Sequence, residues 1–161
     1  MKNEKELRAF DFKIRSEKRD ESTGVLTGVP IVFDAPTDMG VYEEIIDRAA
    51  LDSADLHDVR FLVNHDTSKI PLARSRNNNE NSTMQMSVKE DGMHIRVDLD
   101  VEGNSDAANL YSAVSRGDVS GMSFMFTVED DAWENLDSDY PTRTIRSIGR
   151  VFEVSAVTFP A

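Results

Sequence analysis

The sequence predicts a mainly β protein, arranged as a barrel or a sandwich with one or two helices. Most of the chain alternates apolar and polar residues with the two-residue period of a strand, and turn-forming residues separate these stretches. A clear helical pattern occurs at residues 105–116. The 161 residues fit one domain with its own core. We therefore expect a single domain over residues 1–161, beginning with a charged segment at 1–20.

Short strands and one helix are predicted in the first half of the chain. Residues 10–14 alternate phenylalanine and isoleucine with charged residues. Residues 25–33 contain a glycine and a proline, which is typical of an edge or bulged strand. Residues 49–56 are predicted as a short helix. The apolar run at 59–63 predicts a buried strand, and the sequence Asn-His-Asp follows it directly.

A hairpin is the clearest element in the middle of the chain. After a polar stretch at 74–82, predicted as a loop, apolar residues alternate at 84–88 and again at 93–101. Between these two strands Glu90, Asp91 and Gly92 supply residues suited to a tight turn.

The helix predicted at 105–116 has signals at both ends. Asn104 or Ser105 can cap its first N–H groups, and Gly117 suits a left-handed stop. Strands are predicted to resume at residues 119–128 and 150–159. Between them, residues 129–139 carry six acidic side chains and no basic one, which predicts a solvated loop, with a cation site or an acidic docking surface as the alternative.

Composition and charge exclude several classes of protein. The chain has no cysteine, so disulfides, thiolate metal sites and a cysteine nucleophile are excluded. Its net charge of −12 disfavours nucleic acid and anionic membrane as partners, because both would be repelled. We find no apolar run long enough to cross a bilayer and no signal peptide. We expect a soluble, cytosolic protein.

Ser123, His65 and Glu153 are the residues whose positions suggest chemistry. In a strand, Met122 and Phe124 would face the core while Ser123 faces the other way beside a glycine, so it could serve as a nucleophile. His65 ends a buried strand and could act as a base, and Glu153 could orient an imidazole. Taken singly, each residue favours an ordinary structural role: an outward strand serine, a strand-end histidine and a surface glutamate.

Four stretches of the chain together resemble one family. Residues 64–66 and 70–74, NHD and IPLAR, resemble its "HD…PLGR" stretch, and residues 116–124, RGDVSGMSF, resemble "rGd…GmSFGF". Residues 152–161, FEVSAVTFPA, resemble the ending "EVSlVtxPA", and residues 24–34, GVLTGVPIVFD, resemble the usual opening. The family is that of the tailed-phage prohead (capsid maturation) serine proteases of the HK97 type, which are related to the herpesvirus assembly proteases.

This resemblance implies a fold, an activity and partners. The fold would be an antiparallel β-barrel flanked by a few helices. The activity would be that of a serine endopeptidase inside the immature capsid, or prohead, cleaving scaffold segments from the capsid protein and cleaving itself, without metal or cofactor. Carried over by position, Ser123 is the nucleophile and His65 the base. Glu153 takes the orienting role, with Asp66 as the runner-up.

Other points stay open at the level of sequence. Ser120 is an alternative nucleophile, and Arg74 or the N–H groups near Gly117 or Gly121 could form an oxyanion hole. Where the family commonly has glycine, this chain has Met125 and Ala73. The family usually carries a further C-terminal segment.

Two other functions compete with the protease. One is a non-catalytic assembly module with the same fold. The other is a metal-dependent hydrolase that uses His57, His65 and His94.

Overall fold

The computed structural model of the protein describes residues 4–10 and 14–159. Within these ranges it has eleven strands and one helix. In chain order the elements are β1 (Lys5–Phe10), β2 (Arg15–Lys18), β3 (Thr23–Val32), β4 (Thr37–Asp38), β5 (Glu43–Ile46), β6 (Asp58–Val63), β7 (Ala73–Arg76), β8 (Met84–Val88), β9 (Gly92–Asp100), α1 (Ser105–Arg116), β10 (Gly121–Glu134) and β11 (Thr142–Val157). Of the strand predicted at 10–14, residues 11–13 lie outside the described ranges, as do residues 160–161 at the end of the last family stretch.

The strands form two sheets. The larger sheet has seven strands in the order β1-β10-β11-β5-β4, and β6 and β7 extend from β11. The smaller sheet has four strands in the order β2-β3-β9-β8 and contains the predicted hairpin as β8 and β9. The prediction of a mainly β protein is therefore confirmed, with one helix in the described part of the chain.

The expected closed barrel is wrong for the described residues, because the larger sheet branches at β11. This strand pairs with β10 along one edge, and its other edge is shared by two strands in succession. Residues Thr142–Ile145 pair with β5, and residues 153–156 pair with β6, both in parallel. A strand whose edge serves two partners leads the sheet in two directions instead of closing it into a ring.

The core lies between the two sheets and beneath the helix. Its largest fully buried side chains include Phe61, Phe124, Phe126, Leu26 and Ile31. Strand β3 approaches β10 so closely that a Cβ on Gly28 would lie 2.4 Å from the sulfur of Met122. Gly28 therefore makes room for the side chain that precedes Ser123, and the register shift of β3 after Gly28 confirms the predicted bulge. Since β3 pairs with both β2 and β9, it is not an edge strand.

The helix begins and ends where its sequence predicts. The side chain of Asn104 accepts hydrogen bonds from the N–H groups of Asp106 and Ala107, which satisfies two of the first donors. Gly117 adopts a left-handed conformation with φ of 82° and donates to the carbonyl of Val114. Ala107, Leu110 and Val114 bury one face against the core.

The helix predicted at 49–56 is wrong, because this segment forms successive turns. The N–H of Ala50 donates to Asp47 and that of Ala54 donates to Leu51, which are bonds over three residues. A helix would need the Ala50 carbonyl to accept from Ala54, but the N–H of Ile148 takes it instead at 2.8 Å. Tertiary pairing with β11 therefore replaces the helical bond.

Two segments predicted as loops contain strands. Residues Ala73–Arg76 form β7, so the polar stretch at 74–82 becomes a loop only after Arg76. The acidic segment at 129–139 continues β10 as far as Glu134 and turns at Asn135, whose φ is 58°. Because β11 begins at Thr142, these residues form the end of the long hairpin of β10 and β11. The one helix in the described chain, of 12 residues, is too short to span a bilayer.

Candidate active site

Strand β10 fixes the position of Ser123. Its neighbours Met122 and Phe124 are buried in the core, so the alternation of the strand turns Ser123 toward the opposite face. Ala9 of β1 lies opposite Ser123 on one side and Ser155 of β11 lies opposite on the other. Ser123 is only 1% exposed, so the hydroxyl is held rigidly and largely away from bulk water.

His65 follows the end of β6 in an uncommon backbone conformation. Asn64 and His65 have φ values of 52° and 56°, in the left-handed region that non-glycine residues seldom adopt. Asn64 is held in place because its N–H donates to the Ala156 carbonyl and its side chain forms hydrogen bonds of 2.9 Å with the N–H and the hydroxyl of Thr158. The chain therefore turns sharply after β6 and directs the imidazole back across the sheet.

The structure brings Ser123, His65 and Glu153 into one hydrogen-bonded chain. His65 Nε2 lies 2.7 Å from Ser123 Oγ, and His65 Nδ1 lies 2.5 Å from Glu153 Oε1. Glu153 is 3% exposed and the imidazole is 16% exposed. Since a carboxylate can only accept, Nδ1 carries the proton in the neutral ring, and Nε2 is then free to accept the serine proton.

Ser155 completes the arrangement, and sequence reasoning did not assign it a role. Its hydroxyl oxygen accepts a hydrogen bond from the backbone N–H of His65 at 3.0 Å and donates to Glu153 Oε2 at 3.2 Å. Ser155 therefore ties the backbone of the histidine to the carboxylate that the ring contacts. The available signal was its position two residues after Glu153, on the same face of a strand.

The two alternative residues occupy different surroundings. Asp66 Oδ1 accepts from both the N–H and the hydroxyl of Ser68, which holds the pKa of this carboxyl below its usual value. In the described chain, the carboxylate hydrogen-bonded to His65 Nδ1 is that of Glu153 and not of Asp66. Ser120 precedes β10, and the hydroxyl that His65 contacts is that of Ser123.

Two of the candidate oxyanion donors are already engaged. The guanidinium of Arg74 binds Asp58 through two hydrogen bonds of 2.7 Å, which lowers the pKa of Asp58 to about 2. The N–H of Gly117 donates within the end of the helix. Gly121 lies at the start of β10, two residues before Ser123 and opposite Val157 of β11.

The other two histidines lie apart from this chain of hydrogen bonds. His57 contacts Asp55, and His94 Nε2 lies 2.8 Å from Asp91 Oδ1. Across the residues that the structure describes, no three side chains of histidine, aspartate or glutamate are grouped so that they could hold a metal ion. The metal-dependent alternative therefore has no ligand set in this part of the chain.

The segment that follows His65 has a pocket of about 270 Å³ on each of its two sides. One is mainly apolar and is lined by Leu72, Leu110 and Val119, among others. The other adjoins Glu153 and is lined by Met125, one of the two departures from the family pattern. Ala73, the other departure, is an ordinary residue of β7 with no positive φ, so it causes no strain beside Arg74.

A serine hydroxyl, an imidazole and a carboxylate joined in this order form the arrangement found in serine hydrolases with a catalytic triad. A family model agrees with this class: the caudovirus prohead serine protease model matches residues 10–161. The chain belongs to that family.

Two individual proteins resemble the chain. The prohead protease of Enterobacteria phage HK97 is 29% identical over 145 residues, which is 88% of this chain. The chain spans 58% of the length of that protein. The solved structure of the bacteriophage T4 capsid assembly protease covers 98% of this chain and is itself covered completely, with a TM-score of 0.53 and 12% identity. This second likeness is one of fold.

Proposed function

We propose that this chain is a serine endopeptidase that acts in phage capsid maturation. The observation that carries the proposal is the hydrogen-bonded chain from Ser123 through His65 to Glu153, with distances of 2.7 and 2.5 Å. Membership of the prohead serine protease family supports it independently of the geometry.

In the proposed mechanism Ser123 is the nucleophile. His65 Nε2 removes the proton from Ser123 Oγ as the oxygen attacks the scissile carbonyl carbon. The tetrahedral intermediate then collapses, the carbon–nitrogen bond breaks, and the same Nε2 gives its proton to the leaving amine. A water molecule, deprotonated by His65, attacks the acyl ester, which releases the acid product and restores the serine hydroxyl.

Glu153 is the proposed orienting residue. Its carboxylate keeps the proton on Nδ1 before the reaction and stabilises the positively charged ring that forms during it. Because Glu153 is almost fully buried and also bound by Ser155, the ring is held without reorganisation at the moment of reaction. Neutral backbone N–H groups near Gly121 are the proposed oxyanion donors, since the guanidinium of Arg74 is committed to Asp58.

The proposed substrates are the scaffold segments of the major capsid protein and the protease itself, cleaved inside the prohead. The names of the related proteins, a prohead protease and a capsid assembly protease, support this location. The net charge of −12 suits a protein that shares the capsid interior with DNA. A DNA-binding titration at low salt should show no saturable binding, and tight salt-dependent binding would contradict this part of the proposal.

Fluorophosphonate labelling tests the assignment directly, since the probe reacts with an activated serine. The wild type should label, Ser123→Ala should not, and His65→Ala should label far more slowly. Ser120→Ala is the matched control because it removes a hydroxyl three residues away, and it should label like the wild type. Labelling that persists in Ser123→Ala and vanishes in Ser120→Ala would show that the nucleophile is Ser120 and not Ser123.

Co-expression with the capsid protein tests the biological role. The wild type should shorten the capsid protein and itself, and Ser123→Ala should leave both intact. A wild type that neither labels nor cleaves would refute the protease and favour a non-catalytic assembly module.

A further inference from the structure

The pocket beside Glu153 is lined by cations, in a chain that is otherwise strongly acidic. Lys5, Arg60 and Lys69 contribute to its wall, together with Met125, Phe152 and Glu153. The side chains come from β1, β6, β10, β11 and the segment after His65. The pocket therefore brings together three cations from distant parts of the chain. Its charge is opposite in sign to the net charge of −12 of the whole molecule.

These positive charges are only weakly compensated within the chain. Among the ion pairs of the described residues, neither Lys5 nor Lys69 takes part in one. Arg60 lies 3.6 Å from Asp58, but that carboxylate is already held by the bidentate guanidinium of Arg74 at 2.7 Å.

The one carboxylate in the wall does not neutralise the pocket. Glu153 is 3% exposed, and its oxygens bind His65 and Ser155. The residues that line the pocket therefore carry three positive charges and one negative charge, and this net positive charge attracts a carboxylate.

The apolar part of the wall is also suited to the stem of a side chain. Phe152 is displaced from the core by a register shift, since Met125 pairs with Glu153 while Phe126 pairs with Val151. Because of this bulge, Val151 is fully buried in the core whereas Phe152 is only half-buried. Lys5 Nζ lies 4.5 Å from the centre of the displaced Phe152 ring.

The position of the pocket relates it to the scissile bond. Met125 lies two residues from Ser123 on the same strand face, a separation of about 7 Å. An extended peptide advances about 3.3 Å per residue. A substrate side chain within two residues of the scissile bond therefore reaches the pocket while the carbonyl is at Ser123.

We propose that the pocket formed by Lys5, Arg60 and Lys69 is a specificity subsite for an acidic side chain of the substrate. This inference rests on the proposed protease function. The cations bind the carboxylate, and Met125 and Phe152 contact the methylene groups, so glutamate is favoured over its neutral isostere glutamine.

The test begins with unbiased digestion of a peptide library by the purified protein, with the cleavage sites mapped by mass spectrometry. Acidic residues should be enriched at one position within two residues of the cleaved bond. Matched peptides with glutamate or glutamine at that position should then differ about tenfold in kcat/KM, and the ratio should shrink at high salt.

Variants assign the preference to the pocket. Arg60→Gln with Lys69→Gln should reduce the glutamate-to-glutamine ratio toward one, and Lys69→Glu should favour a lysine-containing peptide. Lys89→Gln, an equivalent change of charge in the turn between β8 and β9, should keep the wild-type ratio. Cleavage without a glutamate preference at any position, or a preference that persists in the double variant, would refute the proposed subsite but not the proposed protease activity. If the wild type shows neither labelling nor cleavage, both the proposed function and the subsite that rests on it are refuted.

Discussion

Replacing Glu153 by glutamine removes one negative charge and exchanges one carboxylate oxygen for an NH2 group. The side chain keeps its size, and it sits where only 3% of it is exposed. An amide oxygen at the Oε1 position can still accept from His65 Nδ1. The amide NH2 at the Oε2 position can no longer accept from Ser155, but it can donate to the hydroxyl oxygen instead. The change therefore tests mainly the electrostatic part of the proposed role.

The size of the expected loss of rate in Glu153→Gln follows from the distance between the two charged groups. With His65 Nδ1 and Glu153 Oε1 2.5 Å apart, the centres of the two charged groups lie about 4 Å apart once the ring is protonated. At an effective dielectric constant of about 20 they attract by about 4 kcal/mol. That energy is present when the ring is charged in the transition state and absent when the ring is neutral. The amide dipole retains part of it, so we expect the rate to fall about 100- to 1000-fold.

The measurement is the second-order rate of fluorophosphonate labelling, together with kcat/KM on a cleaved peptide. Thermal unfolding of each variant checks that the fold is retained. Glu129→Gln, which makes the same exchange at an exposed position of β10, should leave both rates unchanged. Asp66→Asn should also stay within about threefold of the wild type. A Glu153→Gln rate within threefold of the wild type, or a large loss in Asp66→Asn, would refute the reasoning.

Three further predictions concern stability, each measured as the free energy of unfolding in urea. Because the bound Arg74 guanidinium lowers the pKa of Asp58 from 3.8 to about 2, wild-type stability should drop as pH falls from about 4 to about 2, and the drop should be smaller in Asp58→Asn. Glu44→Ala should cost about 3 kcal/mol because Glu44 is 2% exposed between two arginines, whereas Glu90→Ala, which breaks an exposed pair, should cost below about 0.5 kcal/mol. Gly92→Ala places a Cβ 2.1 Å from a backbone oxygen and should lower the free energy of unfolding by about 3 kcal/mol. Gly40→Ala places a Cβ where no atom lies within 4 Å and should lower it by about 1 kcal/mol. Equal losses in the two variants would contradict the steric argument.

Local sequence signals predicted the elements whose causes are local. Asn104 and Gly117 mark the helix ends because capping depends on the residues beside the cap. Strand alternation predicted the inward face of β10 around Ser123, since Met122 and Phe124 are both apolar and both buried. Glu153 and Ser155 likewise stand two residues apart on β11, and both are buried.

Tertiary pairing decided the elements that the sequence misplaced. The acidic composition of residues 129–134 predicts a loop, but β11 runs beside them and supplies the hydrogen bonds that make them a strand. The turns at 47–54 replace a helix because the N–H of Ile148 takes the Ala50 carbonyl. Ile148 lies 98 residues after Ala50, and the partners of residues 130–134 lie 8 to 17 residues further along the chain, so in both cases the cause lies outside the segment itself.

The position of His65 in the candidate site depends on the register of β6 beside β11. Arg60 pairs with Glu153 and Leu62 with Ser155, so the chain leaves β6 where His65 can reach the carboxylate. A slip of one residue would exchange the two faces of β6 and carry the turn away from Glu153. The side chain of Asn64 opposes such a slip, because it binds both the N–H and the hydroxyl of Thr158 beyond the end of β11. Asn64 therefore has two effects: it accommodates the left-handed turn, and it fixes the register on which the distances between Ser123, His65 and Glu153 depend.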